Sequence, residues 1–184
     1  MKTITVKDVM VPVSEYATVS MEANLRDAVR ALEKAQKEFD RTRYRHRAVL
    51  VYEENRKIIG KVSQLDILRA LEPKYEQVGF TGATGYYPFS RKFMKSLFLQ
   101  YNLWEKPLDA LCRKAGQKKV KELMHSPGEG EFVEENASLN EAVHQLVIGH
   151  HQSLLVLRGN EITGILRLTD VFQAVSGLVK SCKE

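Results

Sequence analysis

The chain has 184 residues, 43% of them apolar and 28% charged, enough to bury one sizeable core or two small packed units rather than to stay disordered. No apolar run approaches the roughly 18 residues that argue for a membrane span. The opening MKTITVKDVM lacks the charged-then-apolar pattern of a secretory leader, so a soluble, cytoplasmic protein is expected. Cys112 and Cys182 stand far apart without CxxC spacing, which supports neither a disulfide framework nor a zinc site. The net charge of +5 is unevenly placed: residues 91–121 carry nine basic side chains against two acidic ones, leaving −2 for the remainder. Basic stripes supply the sequence-independent part of nucleic-acid binding. A solvated helix face is the commoner source of a charge run.

In chain order, VKDVM (6–10) leads into an amphipathic helix that opens at Asn24 and Asp27, a capping-box pair, and carries Leu25, Ala28, Val29 and Leu32 at helical spacing. An extension that includes KEFDRTRYR brings the chain to His46 and Arg47 and then to AVLVY, a strand apolar enough to have both faces covered. The polar turn EENRK follows, then a second strand containing Gly60. Ser63 and Asp66 stand where that strand feeds a helix, in the pattern S-x-x-D.

The 45 residues between the copies include the Gly-rich, aromatic stretch VGFTGATGYYPF (78–89), which lacks G-K-[ST] and so is read as a loop rather than a phosphate-cradling turn. Ser90 then precedes RKFMKSLFLQYNLWEK, where Phe93, Leu97, Tyr101 and Trp104 recur on one helical face. Stripes of this kind are usually buried, so this helix is expected to cover the main core, with partner docking or dimerisation as the alternative. Pro107 stops or kinks it, and a second helix with Leu108, Leu111 and Cys112 is expected to end near Gly116.

From residue 118 the first pattern returns. VKELM (120–124) lies 114 residues after VKDVM, and SLNEAV (138–143) keeps the same spacing from NLRDAV (24–29). Gly164 and Asp170 follow Gly60 and Asp66 at 104, because copy 2 lacks the ten-residue extension and runs from HQLVIG almost directly into HHQSLLVL. Each copy reads strand, helix, strand, strand, helix. Neither is large enough to be comfortable alone, since units under about 60 residues are marginal. Two copies packed about a pseudo-twofold axis, with clefts where equivalent turns meet, solve that.

The duplicated endings GKVSQLDILRAL and GILRLTDVFQAV, with the repeated VKDVM and VKELM, resemble a tandem pair of cystathionine β-synthase (CBS) domains, a Bateman module. Copy 1 is also similar to the nucleotide-sensing γ subunit of AMP-activated protein kinase, down to its His-Arg before the strand. The resemblance implies an α+β fold of two β-α-β-β-α repeats, residues 1–72 and 118–184, with a helical insertion at 73–117. It implies clefts that bind an adenine nucleotide (AMP, ADP or ATP) as regulatory ligand, no required cofactor, Mg²⁺ left open, signalling to a regulated protein, and a homodimer. Carried over by position, Asp66 would accept from ribose hydroxyls, Ser63 would help to hold phosphate, and His46 and Arg47 would lie at the phosphate end. In copy 2 Asp170 keeps its place, but Arg167 replaces the Ser or Thr: it would meet phosphate from a new direction or fill a degenerate site itself.

The residue types suit this chemistry. A carboxylate accepts from both hydroxyls of a diol, a helix start presents free amides to an anion, and an arginine forks onto phosphate oxygens. Ser63-x-x-Asp66 is equally a capping box that requires no ligand, and Arg47 also belongs to the string Arg41, Arg43, Arg45. His125, His144, His150 and His151 lack partnered Cys or acidic motifs and are read as surface or cap residues. No catalytic signature emerges, so a non-enzyme is expected. Two alternatives remain: nucleic-acid binding through 91–121, and an interaction subunit with empty clefts.

Overall fold

The computed structural model describes residues 3–39, 42–78 and 89–181. Most of the loop reading at 78–89 and Cys182 lie outside them. In copy 1, strand β2 (Thr18–Ser20) is followed by helix α1 (Leu25–Glu38), strands β3 (Ala48–Tyr52) and β4 (Ile58–Ser63), and helix α2 (Gln64–Leu71). Copy 2 repeats this as β5 (Phe132–Glu134), α6 (Leu139–Ile148), β6 (Ser153–Arg158), β7 (Glu161–Arg167) and α7 (Leu168–Ser181). β2 runs parallel to β3, which pairs antiparallel with β4; β5, β6 and β7 do the same. The expected α+β pair of β-α-β-β-α repeats is thus present.

Local rules set the helix starts. Asn24 and Asp27 cap α1 reciprocally: the Asp27 amide donates to Asn24 Oδ1 at 3.0 Å and the Asn24 amide donates to Asp27 Oδ2 at 3.3 Å. At α6 only half of the box forms, the Glu141 amide donating to Ser138 Oγ at 3.2 Å. The stripes point inward as their spacing predicts, Leu25, Ala28 and Leu32 in one copy and Leu139, Ala142 and Leu146 in the other.

The cores do not follow the repeat boundaries. The turn at Val6–Asp8 belongs to copy 1, yet Val6 is fully buried in the core of copy 2, while Val120, which opens helix α5 (Val120–Leu123), is fully buried in the core of copy 1. The exchange is symmetric to the residue. The Val6 amide donates to Ala137 O at 3.0 Å and the Val120 amide to Ala23 O at 2.8 Å; the Leu139 amide donates to Ile4 O at 3.0 Å and the Leu25 amide to Lys118 O at 2.9 Å. Strand β1 (Val11–Pro12) then joins the copy 2 sheet against β7, and His125 forms the equivalent bridge to Lys61 on β4. Returning either valine to water costs about 1.5–2 kcal/mol in burial alone. Between the sheets, Leu50, Ile58, Leu155 and Ile165 form a third cluster with Val11 and Tyr16.

The two motif glycines make this crossing possible. A Cβ on Gly60 would lie 2.7 Å from His125 O, and one on Gly164 would lie 2.7 Å from Val11 O and 2.8 Å from Met10 Sδ. In both cases the obstacle includes backbone, which cannot swing aside as a side chain tip can.

The insertion corrects the sequence reading. Helix α3 (Arg91–Gln100) stops four residues short of Trp104, and Asn102 (φ 46°) and Trp104 (φ 60°) turn the chain back. The Trp104 amide donates to Glu72 Oε2 and its indole N–H to Tyr75 Oη at 3.0 Å. Leu103 is therefore buried, whereas α3 has no buried residue and does not cover the core as expected. Helix α4 (Leu108–Ala115) ends at Gly116 as predicted and buries Leu111 and Ala115.

Gly60→Ala and Gly164→Ala should each lower unfolding free energy in chemical denaturation by about 1–3 kcal/mol, the usual cost of forcing atoms into a packed site. Gly177→Ala in α7, where a Cβ meets nothing within 4 Å, should be neutral or stabilising by about 0.5–1 kcal/mol.

Candidate functional site

The residues expected at the two clefts stand at equivalent positions, the start of α2 and the start of α7. At each, the first helical amide closes onto the segment leading into the neighbouring strand: Gln64 N donates to Arg47 O at 2.9 Å and Leu168 N to Gln152 O at 3.0 Å. Arg47 and Gln152 are thus equivalents, as are Ser63 and Arg167, and Asp66 and Asp170. The backbone frames match; their side chains do not.

At the α2 cleft the capping box is formed. Asp66 Oδ2 accepts from the Ser63 amide at 2.8 Å and from Ser63 Oγ at 2.5 Å, while Ser63 Oγ accepts from the Asp66 amide at 3.2 Å. Among the described residues this leaves Asp66 Oδ1 facing the half-exposed Arg69 alone, at 3.6 Å. Arg47 is exposed beside this helix start. Asp66, Arg69, Tyr75 and Lys118 line a cavity of about 130 Å³. It adjoins one of about 210 Å³, with Ala70, Glu72, Pro73 and Lys118 on the wall of both.

At the α7 cleft the carboxylate is consumed. Arg167 Nε and Nη2 fork onto both oxygens of Asp170 at 2.5 Å, and Arg43 Nη2 reaches Asp170 Oδ1 at 3.5 Å. Arg167 Nη1 donates to Tyr44 O at 2.7 Å and lies 3.3 Å from His46 Nδ1. Both guanidinium groups lie over the Phe39 ring, 5.3 and 5.4 Å from its centroid. Phe39, Arg43 and Tyr44 all come from the ten-residue extension that only copy 1 possesses.

His46 is not brought to Asp66. It is completely buried against Arg167, with its ring centroid 4.2 Å from those of Tyr16 and Phe39. Because an arginine N–H can only donate, Nδ1 is the acceptor and the proton sits on Nε2, which has no hydrogen-bond partner among the described residues. Burial first, then the Arg167 charge, pushes the His46 pKa down to about 4. Burial likewise pushes Tyr16 up to about 12.

A third group of polar residues, missed in the sequence, spans the copies. The buried Lys61 Nζ pairs with Glu131 Oε1 at 2.9 Å and approaches Ser153 Oγ at 3.4 Å, and His125 Nε2 meets Glu131 Oε2 at 2.5 Å. His125 therefore has an acidic partner, which its lack of a motif concealed. A signal existed: Lys61 interrupts an apolar strand where copy 2 has the buried Ile165. Burial by itself would raise the Glu131 pKa, but the hydrogen bonds from His125 and Lys61 outweigh it and bring it down to about 2. No group of three or more His, Cys, Asp or Glu able to hold a metal ion occurs among the described residues.

A family model, that of the CBS domain, matches residues 6–73 and 120–177. No curated protein matches the chain by sequence. Among solved structures, the CBS-pair protein CBSX2 from Arabidopsis thaliana superposes with a TM-score of 0.61 at 20% identity, over 98% of this chain and 100% of that one. CBSX2 in complex with AMP gives 0.58 at 19%, over 95% and 98%. The CBS domain of a bacterial CNNM/CorC family Mg²⁺ transporter in complex with ATP gives 0.58 at 19%, over 94% and 87%. These likenesses concern the fold.

Two pH effects follow. His46 stays neutral in the folded chain down to about pH 4 but takes its proton near 6.5 once unfolded, so the unfolded state binds more protons between those values. Stability should fall as pH drops from 6.5 toward 4, by a few kcal/mol at about 1.4 kcal/mol per unit, and His46→Gln should flatten that limb. Glu131 stabilises fully above its ordinary value of 4.5, and this contribution should be lost as pH falls from there to about 2. Denaturation of Glu131→Gln across pH 2–5 should lack that second loss.

Proposed function

From the premise that the chain belongs to the CBS domain family, whose model matches both repeats, we propose that it is a non-catalytic regulatory module. It binds an adenine nucleotide (AMP, ADP or ATP) in the Asp66 cleft and passes occupancy to a partner by reorienting its two copies. The observation that carries this reading is the contrast between the clefts. Asp170 is committed to two arginines, whereas Asp66 keeps one oxygen against a half-exposed Arg69, with the cation of Arg47 in solvent beside the same helix start.

In this reading Asp66 Oδ1 accepts from the ribose diol, and Ser63 and Arg47 address phosphate. Arg167, His46 and Asp170, residues that the family pattern also places at ligand, instead form a permanent internal plug with Phe39, Arg43 and Tyr44. Opening it would leave buried charges without partners, which costs several kcal/mol per ion. The stoichiometry is therefore one nucleotide per chain. CBSX2 and the transporter domain, which hold AMP and ATP in their own structures, support the ligand class.

The homodimer implied by the family has a candidate surface. Leu65 and Leu68 on α2, and Leu168, Phe172 and Val179 on α7, leave their apolar side chains exposed. Sedimentation should show a concentration-dependent dimer, and Phe172→Glu should shift it to monomer with little change in melting temperature.

Calorimetry tests the ligand. At one hundred times its dissociation constant the nucleotide should add about 2.7 kcal/mol of stability. Asp66→Ala should weaken binding at least tenfold, as expected for about 1.5–3 kcal/mol of charge-assisted hydrogen bonding. Asp170→Asn should leave affinity and stoichiometry unchanged. Absence of binding below millimolar, or equal binding by Asp66→Ala, would overturn the assignment.

A further inference from the structure

Helix α3 has no buried residue. Leu97 is only half-buried, while Met94, Phe98 and Leu99 are 51, 46 and 63% exposed. Phe93 joins them at 39%, its ring 5.1 Å from that of Phe89. At 100° per residue Phe93, Met94, Leu97 and Phe98 make one contiguous stripe, with Arg91, Lys92 and Lys95 along its flank and Leu99 set among those cations. The helix contains no acidic residue, and Arg91, Lys92 and Lys95 have no carboxylate partner among the described residues. α3 makes no extensive contact with another described helix or strand.

We propose that α3 is a docking ridge for an anionic lipid surface, with Met94, Phe98 and Leu99 entering the boundary between headgroups and acyl chains and Arg91, Lys92 and Lys95 pairing with lipid phosphates and carboxylates. Charge and shape select this occupant. A second copy would set three unpaired cations against three more, which like-charge repulsion opposes. α3 is a convex ridge rather than a groove, and a bilayer surface accepts a ridge without a matching hollow. Long cationic side chains beside an apolar stripe keep their stems in the apolar zone and their charge in the headgroups. The role is peripheral: no helix among the described residues is long and apolar enough to cross a membrane.

Vesicle cosedimentation of the full chain tests this, with vesicles of phosphatidylcholine alone or mixed with phosphatidylserine. The chain should pellet with the mixed vesicles, remain in the supernatant with the neutral ones, and release as salt is raised. Lys92→Glu/Lys95→Glu should weaken binding about tenfold or more, since each cation near an anionic leaflet contributes comparably. Phe98→Ser/Leu99→Ser should weaken it similarly, with an unchanged melting temperature. The proposal is overturned by absence of pelleting or by equal pelleting with both compositions. It is also overturned if the Phe98/Leu99 variant binds like the parent or melts lower, or if it abolishes a self-association of the parent. Salt-sensitive binding to duplex DNA that survives the Phe98/Leu99 variant but not the Lys92/Lys95 variant, without vesicle binding, would assign the face to nucleic acid instead. Nucleotide affinity at Asp66 is a separate readout, so loss of either function is distinguishable from loss of the other.

Discussion

The structure depends on a reciprocal exchange: each repeat begins by docking its leading segment into the other. Val6 and Val120 are wholly buried in the opposite core, and paired backbone hydrogen bonds fasten each segment ahead of the opposing helix. Neither core is complete without the other copy's first residues, so the two small units are expected to fold as one. The same segments pass over Gly60 and Gly164 at distances that leave no space for a methyl group. The glycine of the repeated ending thus serves the crossing of two segments of the chain and needs no ligand to account for it.

On this symmetric frame, ten extra residues in one copy make the clefts unequal. The extension after α1 reaches into the α7 cleft and adds Phe39, Arg43 and Tyr44 to Arg167 and His46, where they hold the Asp170 carboxylate with a fork and a second cation. Arg167 in place of serine is intelligible only with that extension. A guanidinium this deep requires a carboxylate, a carbonyl and an aromatic face, and the connection supplies the last two. In the α2 cleft a small Ser63 leaves the helix start uncrowded, and the shorter connection of copy 2 brings no equivalent of Phe39 or Arg43.

What the sequence made legible was whatever repeats or is local. Offsets of 114 and 104 residues located both copies, the ten-residue difference and the equivalent site positions, and Asn24 with Asp27 and Ser63 with Asp66 formed the boxes that their spacing requires. The failures are non-local or concern which face a residue takes. His46 and Arg47 adjoin in a segment leading into a strand, where successive side chains point to opposite sides. One is therefore sealed against Arg167 while its neighbour stands in solvent, and they cannot serve one cleft together. The Lys61–Glu131 pair joins residues seventy apart, and only comparison of Lys61 with Ile165 hinted at it. The aromatic stripe of the insertion had the spacing of a core helix, yet periodicity reports that a face is apolar without saying what covers it.

The exposed α3 and the Asp66 cleft are linked through the chain. α2 carries Asp66 near its start and is capped at its end by Glu72, which accepts from the amides of Lys74 and Trp104. That second bond ties the end of α2 to the turn that closes α3. Glu72 is buried, so its carboxylate cannot exchange these amides for water without large cost. A displacement of α2 on occupation of the cleft would therefore be carried to the turn at Asn102–Trp104 rather than absorbed between them. Such coupling does work only if the two arrangements of α2 differ in nucleotide affinity. The physical route from cleft to ridge is short, consisting of two turns of helix, one carboxylate and one reversed turn.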